Sequence, residues 1–233
     1  MTHDIRDRIA LVTGASRGLG FATARALGAA GAHVVALART VGGLEELDDA
    51  IKAAGGAATL VPLDVTDDPA LERLGAAIYE RWGRLDLWVH TAIHAPPLSP
   101  VGHIDAKELD RALAVNLRAT QRLIRVLDPL LRLSDRGRAV FLTDETGAGQ
   151  RFHAAYRAGK QGQIEIATAW AREVEATPGL RAVFAAPPPM PTAMRARFYP
   201  GEPRDRLADP AAVAERLLAG LRRDERRIEL AAH

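Results

Sequence analysis

A phenol and an ammonium stand four residues apart at Tyr156 and Lys160, inside the run AAYRAGKQG. On a helix, side chains at i and i+4 share a face, so both can point into one cleft. A free phenol has a pKa of about 10, too high for ready proton exchange at neutral pH, and a nearby ammonium lowers it by favouring the phenolate. The pair therefore reads as a proton-transfer device, with Tyr156 a general acid toward a carbonyl or a general base toward an alcohol. A second group, TGASRGLG from Thr13 to Gly20, has the spacing of a phosphate-binding turn. Gly14 permits the turn, Gly18 lets a phosphate approach the backbone, and Gly20 lets the next helix pack on its strand, while the helix N-terminus favours the anion.

Both groups need a scaffold, and the chain supplies one. Apolar runs IALVT, HVVALA, ATLVPL, LDLWVHT, RAVFLT and LRAVFAA alternate with segments of helical period, among them FATARALGAAG, PALERLGAAIYERWG and the long AKELDRALAVNLRATQRLIRVLDPLLRL. Alternation of this kind demands crossovers, and right-handed crossovers give a parallel sheet with helices on both faces. The expected fold is α/β, a single doubly wound Rossmann-type domain over residues 1–233. A short RIEL near the C-terminus extends the sheet to about seven strands. Two loops, 92–105 and 187–206, follow strands at their carboxyl ends, where open α/β sheets bind ligands, and the second is the expected lid.

Composition narrows the function. With 233 residues and 48% hydrophobic content the chain can bury a large core, which excludes a disordered protein. The 31 Lys plus Arg against 29 Asp plus Glu leave a charge of only +2, which argues against nucleic acid or an anionic membrane as partner. No cysteine is present, so thiolate catalysis and disulfides are excluded, and the opening MTHDIRDRI has no apolar signal core. A cytoplasmic location is the expectation. His90, His94 and His103 do not form a metal site, because Pro96 and Pro97 separate them and no carboxylate stands at ligand spacing. RRDERR near the C-terminus reads as a solvated helix end, and Trp82, Trp88 and Trp170 as packing residues.

At the end of the second strand, where an NAD site usually places an acid, the residues are Ala38 and Arg39. An Arg there can pair with a 2′-phosphate, so NADP(H) is favoured over NAD(H), with Arg17 adding to the preference.

The glycine spacing, the chain length and the Tyr-x-x-x-Lys pair together resemble the short-chain dehydrogenase/reductase family over nearly the whole chain. The resemblance implies an NADP(H)-dependent oxidoreductase acting on a small carbonyl or alcohol, and a homodimer or homotetramer. Its phosphate motif spans Thr13 to Gly20 and takes in Ser16, Arg17 and Leu19. Asp64 and Val65 match the positions beside the adenine, and Lys160 matches the residue that also holds the nicotinamide ribose. Asn116 matches the Asn that holds a relay water. Ala92, Pro187 and Thr192 match positions along the nicotinamide.

Three departures cluster at the reacting end. Relatives carry a Ser before the Tyr; counting back thirteen residues from Tyr156 gives Thr143, whereas aligning on the strand and on Gly147 gives Asp144. A Thr hydroxyl can donate to a carbonyl, but an ionised Asp only accepts. The family's Asn-Asn-Ala-Gly is His90-Thr91-Ala92-Ile93, and its Asn-Pro-Gly is Ala186-Pro187-Pro188. The alternative implied is a non-catalytic or weakly active NADP(H)-binding protein of the same fold.

Overall fold

A computed structural model describes residues 4–230, so the first three residues of the opening segment lie outside the described residues. The strands are β1 (Ile9–Thr13), β2 (His33–Ala38), β3 (Ala57–Pro62), β4 (Leu87–His90), β5 (Arg138–Leu142), β6 (Arg181–Ala186) and β7 (Arg227–Glu229). They form one sheet in the order β3-β2-β1-β4-β5-β6-β7, every pairing parallel. The fold is the expected doubly wound α/β architecture, with RIEL supplying the edge strand. All five residues of β1 are buried, as a strand covered on both faces requires.

The helices are α1 (Gly18–Ala29), α2 (Val41–Ala53), α3 (Asp68–Trp82), α4 (Ala106–Leu113), α5 (Ala119–Arg132), α6 (Ala154–Glu173), α7 (Ala193–Phe198) and α8 (Pro210–Arg222). Leu27 of α1, Leu47 of α2 and Leu217 of α8 pack on one sheet face. Leu71 of α3, Leu123 of α5 and Trp170 of α6 cover the other. Trp88 is fully buried and Trp170 donates Nε1–H to Asp128 at 2.9 Å, so both tryptophans pack as expected; Trp82 meets His33 with ring centroids 5.0 Å apart and planes tilted by 45°.

Local sequence sets the helix ends. Asp67 caps α3 by accepting from the Ala70 N–H at 3.0 Å, and Gly83 closes it with φ 70°. Asp67→Ala is expected to lose about 1 kcal/mol, lowering the thermal midpoint by about 2–4 °C with no change in ligand binding. Scanning calorimetry of the two proteins checks this.

Two expectations need correction. The long helix predicted around Asn116 is interrupted: α4 and α5 are joined by a π-helical turn, Ala114–Arg118. One extra residue per turn breaks the helical spacing there, and Asn116 sits at its centre. The RRDERR segment is not simply solvated. Asp224, at φ 62°, accepts from Arg138 Nε at 3.0 Å and Nη2 at 2.7 Å and pairs with Arg136 at 3.2 Å. Arg138 is buried at the start of β5, so Asp224 balances a cation that the fold takes out of water.

The strand order reverses between β1 and β4, and the crevice opens at their carboxyl ends. Thr91 donates its hydroxyl to the Thr13 carbonyl at 2.6 Å, clasping the two strand ends together.

Candidate active site

A cleft of about 1120 Å³ runs along the carboxyl edge of the sheet from the glycine turn to the 187–199 segment. Every site residue expected from the sequence lines it except Asn116, which is fully buried behind it. Gly14, Ser16, Arg17, Gly18, Leu19 and Gly20 form one end. Arg39, Asp64 and Val65 form the flank, and Ala92, Thr143, Asp144, Tyr156, Lys160, Pro187 and Thr192 form the other end.

Gly14 has φ 76°, and a Cβ there would fall 2.8 Å from the Ala92 backbone nitrogen. A Cβ at Gly18 would fall 3.3 Å from Thr192 Cγ2. The floor is therefore bare backbone, and the residue preceding α1, Arg17, makes no side-chain cap bond to the first turn. Uncapped N–H groups over a glycine floor fit the diphosphate of a dinucleotide.

Arg39 Nη1 stands 3.6 Å from Asp64 Oδ2, with both side chains about half exposed. The expected phosphate-binding Arg and the expected adenine-side Asp thus face one another across the ends of β2 and β3. An exposed pair of this kind is worth at most about 1 kcal/mol, so a 2′-phosphate can draw Arg39 away at little cost.

Tyr156 and Lys160 are 1% and 4% exposed and share the wall of the cleft. Their electrostatics run opposite to the expectation. The Tyr156 hydroxyl donates to Asp144 Oδ2, and the Lys160 ammonium donates to Gln163 Oε1 at 2.6 Å. Burial first, then the Asp144 charge and its hydrogen bond, push the phenol pKa up from its ordinary value. Burial pulls Lys160 down to about 8, against the opposing effect of Asp144. The ammonium does not lower the phenol because its hydrogen bond turns it to Gln163, while a carboxylate holds the phenolic proton.

Asp144 is the residue that meets Tyr156. Its Oδ1 accepts from the Thr146 N–H at 2.7 Å, and the Arg157 guanidinium bonds its carbonyl oxygen. Thr143 instead donates its hydroxyl to the Ala185 carbonyl at 3.3 Å. Asn116 accepts from the His94 N–H at 2.7 Å and donates to the His94 carbonyl at 2.8 Å, so its side-chain amide pins the 92–105 loop.

Several contributors had weak sequence signals or none. Gln163 lies at i+3 from Lys160 and shares its face, a relation that helical spacing makes legible. It donates to Thr120 Oγ1 at 3.0 Å, which bonds His90 Nε2 at 3.0 Å, and His90 Nδ1 meets Thr13 Oγ1 at 2.8 Å. A buried polar chain thus links Lys160 to the strand that carries the glycine turn. His94 Nε2 meets Glu108 Oε2 at 2.9 Å, a carboxylate that local ligand spacing does not reveal because it lies fourteen residues further along the chain. Among the described residues no three His, Asp or Glu form a metal-holding group.

Residues 187–195, 197 and 199 of the 187–206 segment line the cleft. Phe198 lies edge-on to Tyr156 with ring centroids 5.0 Å apart. Arg195 does not face water: it makes two 2.6 Å bonds to Glu202 and lies 3.8 Å over the Tyr199 ring. Arg197 is exposed and bonds the Ala95 carbonyl, tying lid to loop.

The short chain dehydrogenase family profile matches residues 8–203. This chain belongs to that family. As a short chain dehydrogenase it is 30% identical over 224 residues to cis-4-hydroxycyclohexanecarboxylate dehydrogenase of Sinomonas cyclohexanicum, covering 92% of this chain and 89% of that protein. Several further curated relatives match over less than two thirds of their own length. A short chain dehydrogenase structure from Salmonella enterica serovar Typhi superposes with a TM-score of 0.91 at 27% identity, covering 100% of this chain and 99% of that one. A Shigella flexneri structure complexed with NADP superposes with a TM-score of 0.89 at 29% identity, covering 97% and 98%. Among the described residues no helix of this family member is long and apolar enough to cross a membrane.

Proposed function

We propose that this short chain dehydrogenase is an NADP(H)-dependent oxidoreductase that moves hydride between the nicotinamide and a substrate carbon in the cleft. The observation that carries the reading is the burial of Tyr156 and Lys160 in one wall of the cleft whose floor is the glycine turn. A bound dinucleotide supplies the hydride for reduction, or takes it up in oxidation. Gly14, Gly18 and the first turn of α1 hold its diphosphate, Arg39 and Arg17 its 2′-phosphate, Asp64 and Val65 flank its adenine, and Thr192, Ala92 and Pro187 border its nicotinamide. Lys160 holds the ribose, oriented by Gln163. Tyr156 presents its oxygen to the substrate while its own O–H donates to Asp144. Phe198 and the lid exclude water from the reacting atoms. By analogy with the family alone, the reading extends to a homodimer or homotetramer in the cytoplasm.

Calorimetric titration with NADPH and NADH in parallel tests cofactor choice. NADPH is expected to bind at least about tenfold more tightly, with Arg39→Ala removing the difference by weakening NADPH alone. Equal or tighter NADH binding in the wild type overturns the preference. Turnover is tested by mass spectrometry of products formed with C4-deuterated NADPH over a panel of aldehydes, ketones and cyclic imines.

A second reading, a dinucleotide-binding protein without turnover, is favoured by the bond that ties the Tyr156 proton to Asp144. Binding of NADPH with no deuterium in any product of that panel selects it.

A further inference from the structure

Reduction of a carbonyl places negative charge on oxygen, and a site built for it aims donors at that atom. Here the donors are committed elsewhere. The Tyr156 hydroxyl donates to Asp144, the Thr143 hydroxyl to the Ala185 carbonyl, and Pro188 has no N–H to offer. In their place stands the Asp144 carboxylate, held in register by the Thr146 N–H. Of the cations around it, Arg195 is paired with Glu202, while Lys160 and Arg157 aim their N–H groups at Gln163 and at the Asp144 carbonyl rather than at the reacting atom. In direct contact with this carboxylate a developing alkoxide would meet repulsion, whereas a cationic N–H would meet a charged acceptor.

Resting on the reading of the cleft as a hydride-transfer site, we propose that its substrate is an iminium cation, reduced to a secondary amine. The iminium N–H donates to the carboxylate of Asp144 or to the oxygen of Tyr156, which can accept while its own proton bonds Asp144. Hydride from the reduced nicotinamide dinucleotide forms the new C–H bond at the iminium carbon. The C=N π pair becomes the nitrogen lone pair, the substrate charge is cancelled, and the dinucleotide is left oxidised. No proton leaves Tyr156, so the carboxylate that withholds the phenolic proton does not obstruct the step. Ile93, Met190 and Met194 give the substrate end an apolar surface suited to a cyclic or aryl-bearing amine, and the Tyr156 and Tyr199 rings on the same lining also favour a cation.

The test uses the intact protein and compares dihydroisoquinoline with its uncharged ketone counterpart, tetralone, as substrates for NADPH oxidation. Binding to the oxidised-dinucleotide complex is measured separately by calorimetry with tetrahydroisoquinoline, as the ammonium, and isochroman, its uncharged isostere. The imine is expected to be consumed at least about tenfold faster than the ketone, and Asp144→Ser to reverse that order. Asp144→Asn is expected to weaken ammonium binding by about 10- to 100-fold without weakening isochroman, whose ether oxygen the Asn amide can meet as a donor. Faster reduction of tetralone, consumption of neither compound, or ammonium binding unaltered in both variants overturns the proposal while leaving dinucleotide binding intact. Failure of NADPH itself to bind overturns the underlying reading as well.

Discussion

Gly20→Ala is expected to leave no detectable NADPH binding at concentrations that saturate the wild type, and to lower the thermal midpoint by several degrees. An added Cβ would fall 2.3 Å from Thr91 Oγ1 and 2.4 Å from the Gly14 carbonyl oxygen. Neither atom can yield cheaply. Thr91 Oγ1 clasps the end of β1, and Gly14 forms the turn itself, its N–H bonding the Leu37 carbonyl at 2.8 Å. Overpacking of this kind costs about 1–3 kcal/mol, and the displaced atoms are those that shape the diphosphate floor. Gly42→Ala in α2 is the matched control, because beyond its chain neighbours and its own helical backbone nothing lies within 4 Å of its would-be Cβ. Better helix propensity there should raise stability by up to about 1 kcal/mol. Titration calorimetry and thermal melts of both variants decide the matter; unchanged NADPH affinity in Gly20→Ala would mean that the glycine turn is a structural feature only.

The second large effect is acid sensitivity through His90. The ring is buried between Thr13 and Thr120, and burial first, with the Lys160 charge second, pulls its pKa down from 6.5 to about 3. Below pH 6.5 the unfolded chain takes up a proton that the folded protein refuses, so stability falls as the pH drops from 6.5 toward 3. Between pH 7 and pH 5 the loss from this residue is about 2 kcal/mol. His90→Asn has nothing to titrate, and its denaturant midpoint should decline less over the same interval by that amount. Parallel urea titrations at the two pH values check the difference; identical slopes against pH in the two proteins would show that His90 protonates freely. The polar chain fixes the tautomer of the neutral ring. Gln163 donates to Thr120, and continuing that direction lets the Thr120 hydroxyl donate to Nε2 and places the imidazole proton on Nδ1, toward Thr13.

The same contrast appears at the other titrating groups. Spacing alone correctly placed Tyr156 and Lys160 on one face of α6, because i and i+4 positions must neighbour one another on any helix. It misjudged what each would bond. Asp144 lies twelve residues before Tyr156 on a different element, and Gln163 competes for the ammonium. The π turn at Asn116 was likewise hidden, since a helical pattern of apolar residues continues through it with no break in composition.

From sequence alone came the α/β alternation, the parallel sheet, the glycine turn and the cleft-lining positions, because each depends on chain-local quantities: apolar period, backbone freedom and the order of elements. Tertiary structure alone decided the proton's address. Which carboxylate a phenol meets, and how far each group is removed from water, depends on side chains brought together from distant segments. Those distances and that burial set the sign of every pKa shift in the cleft.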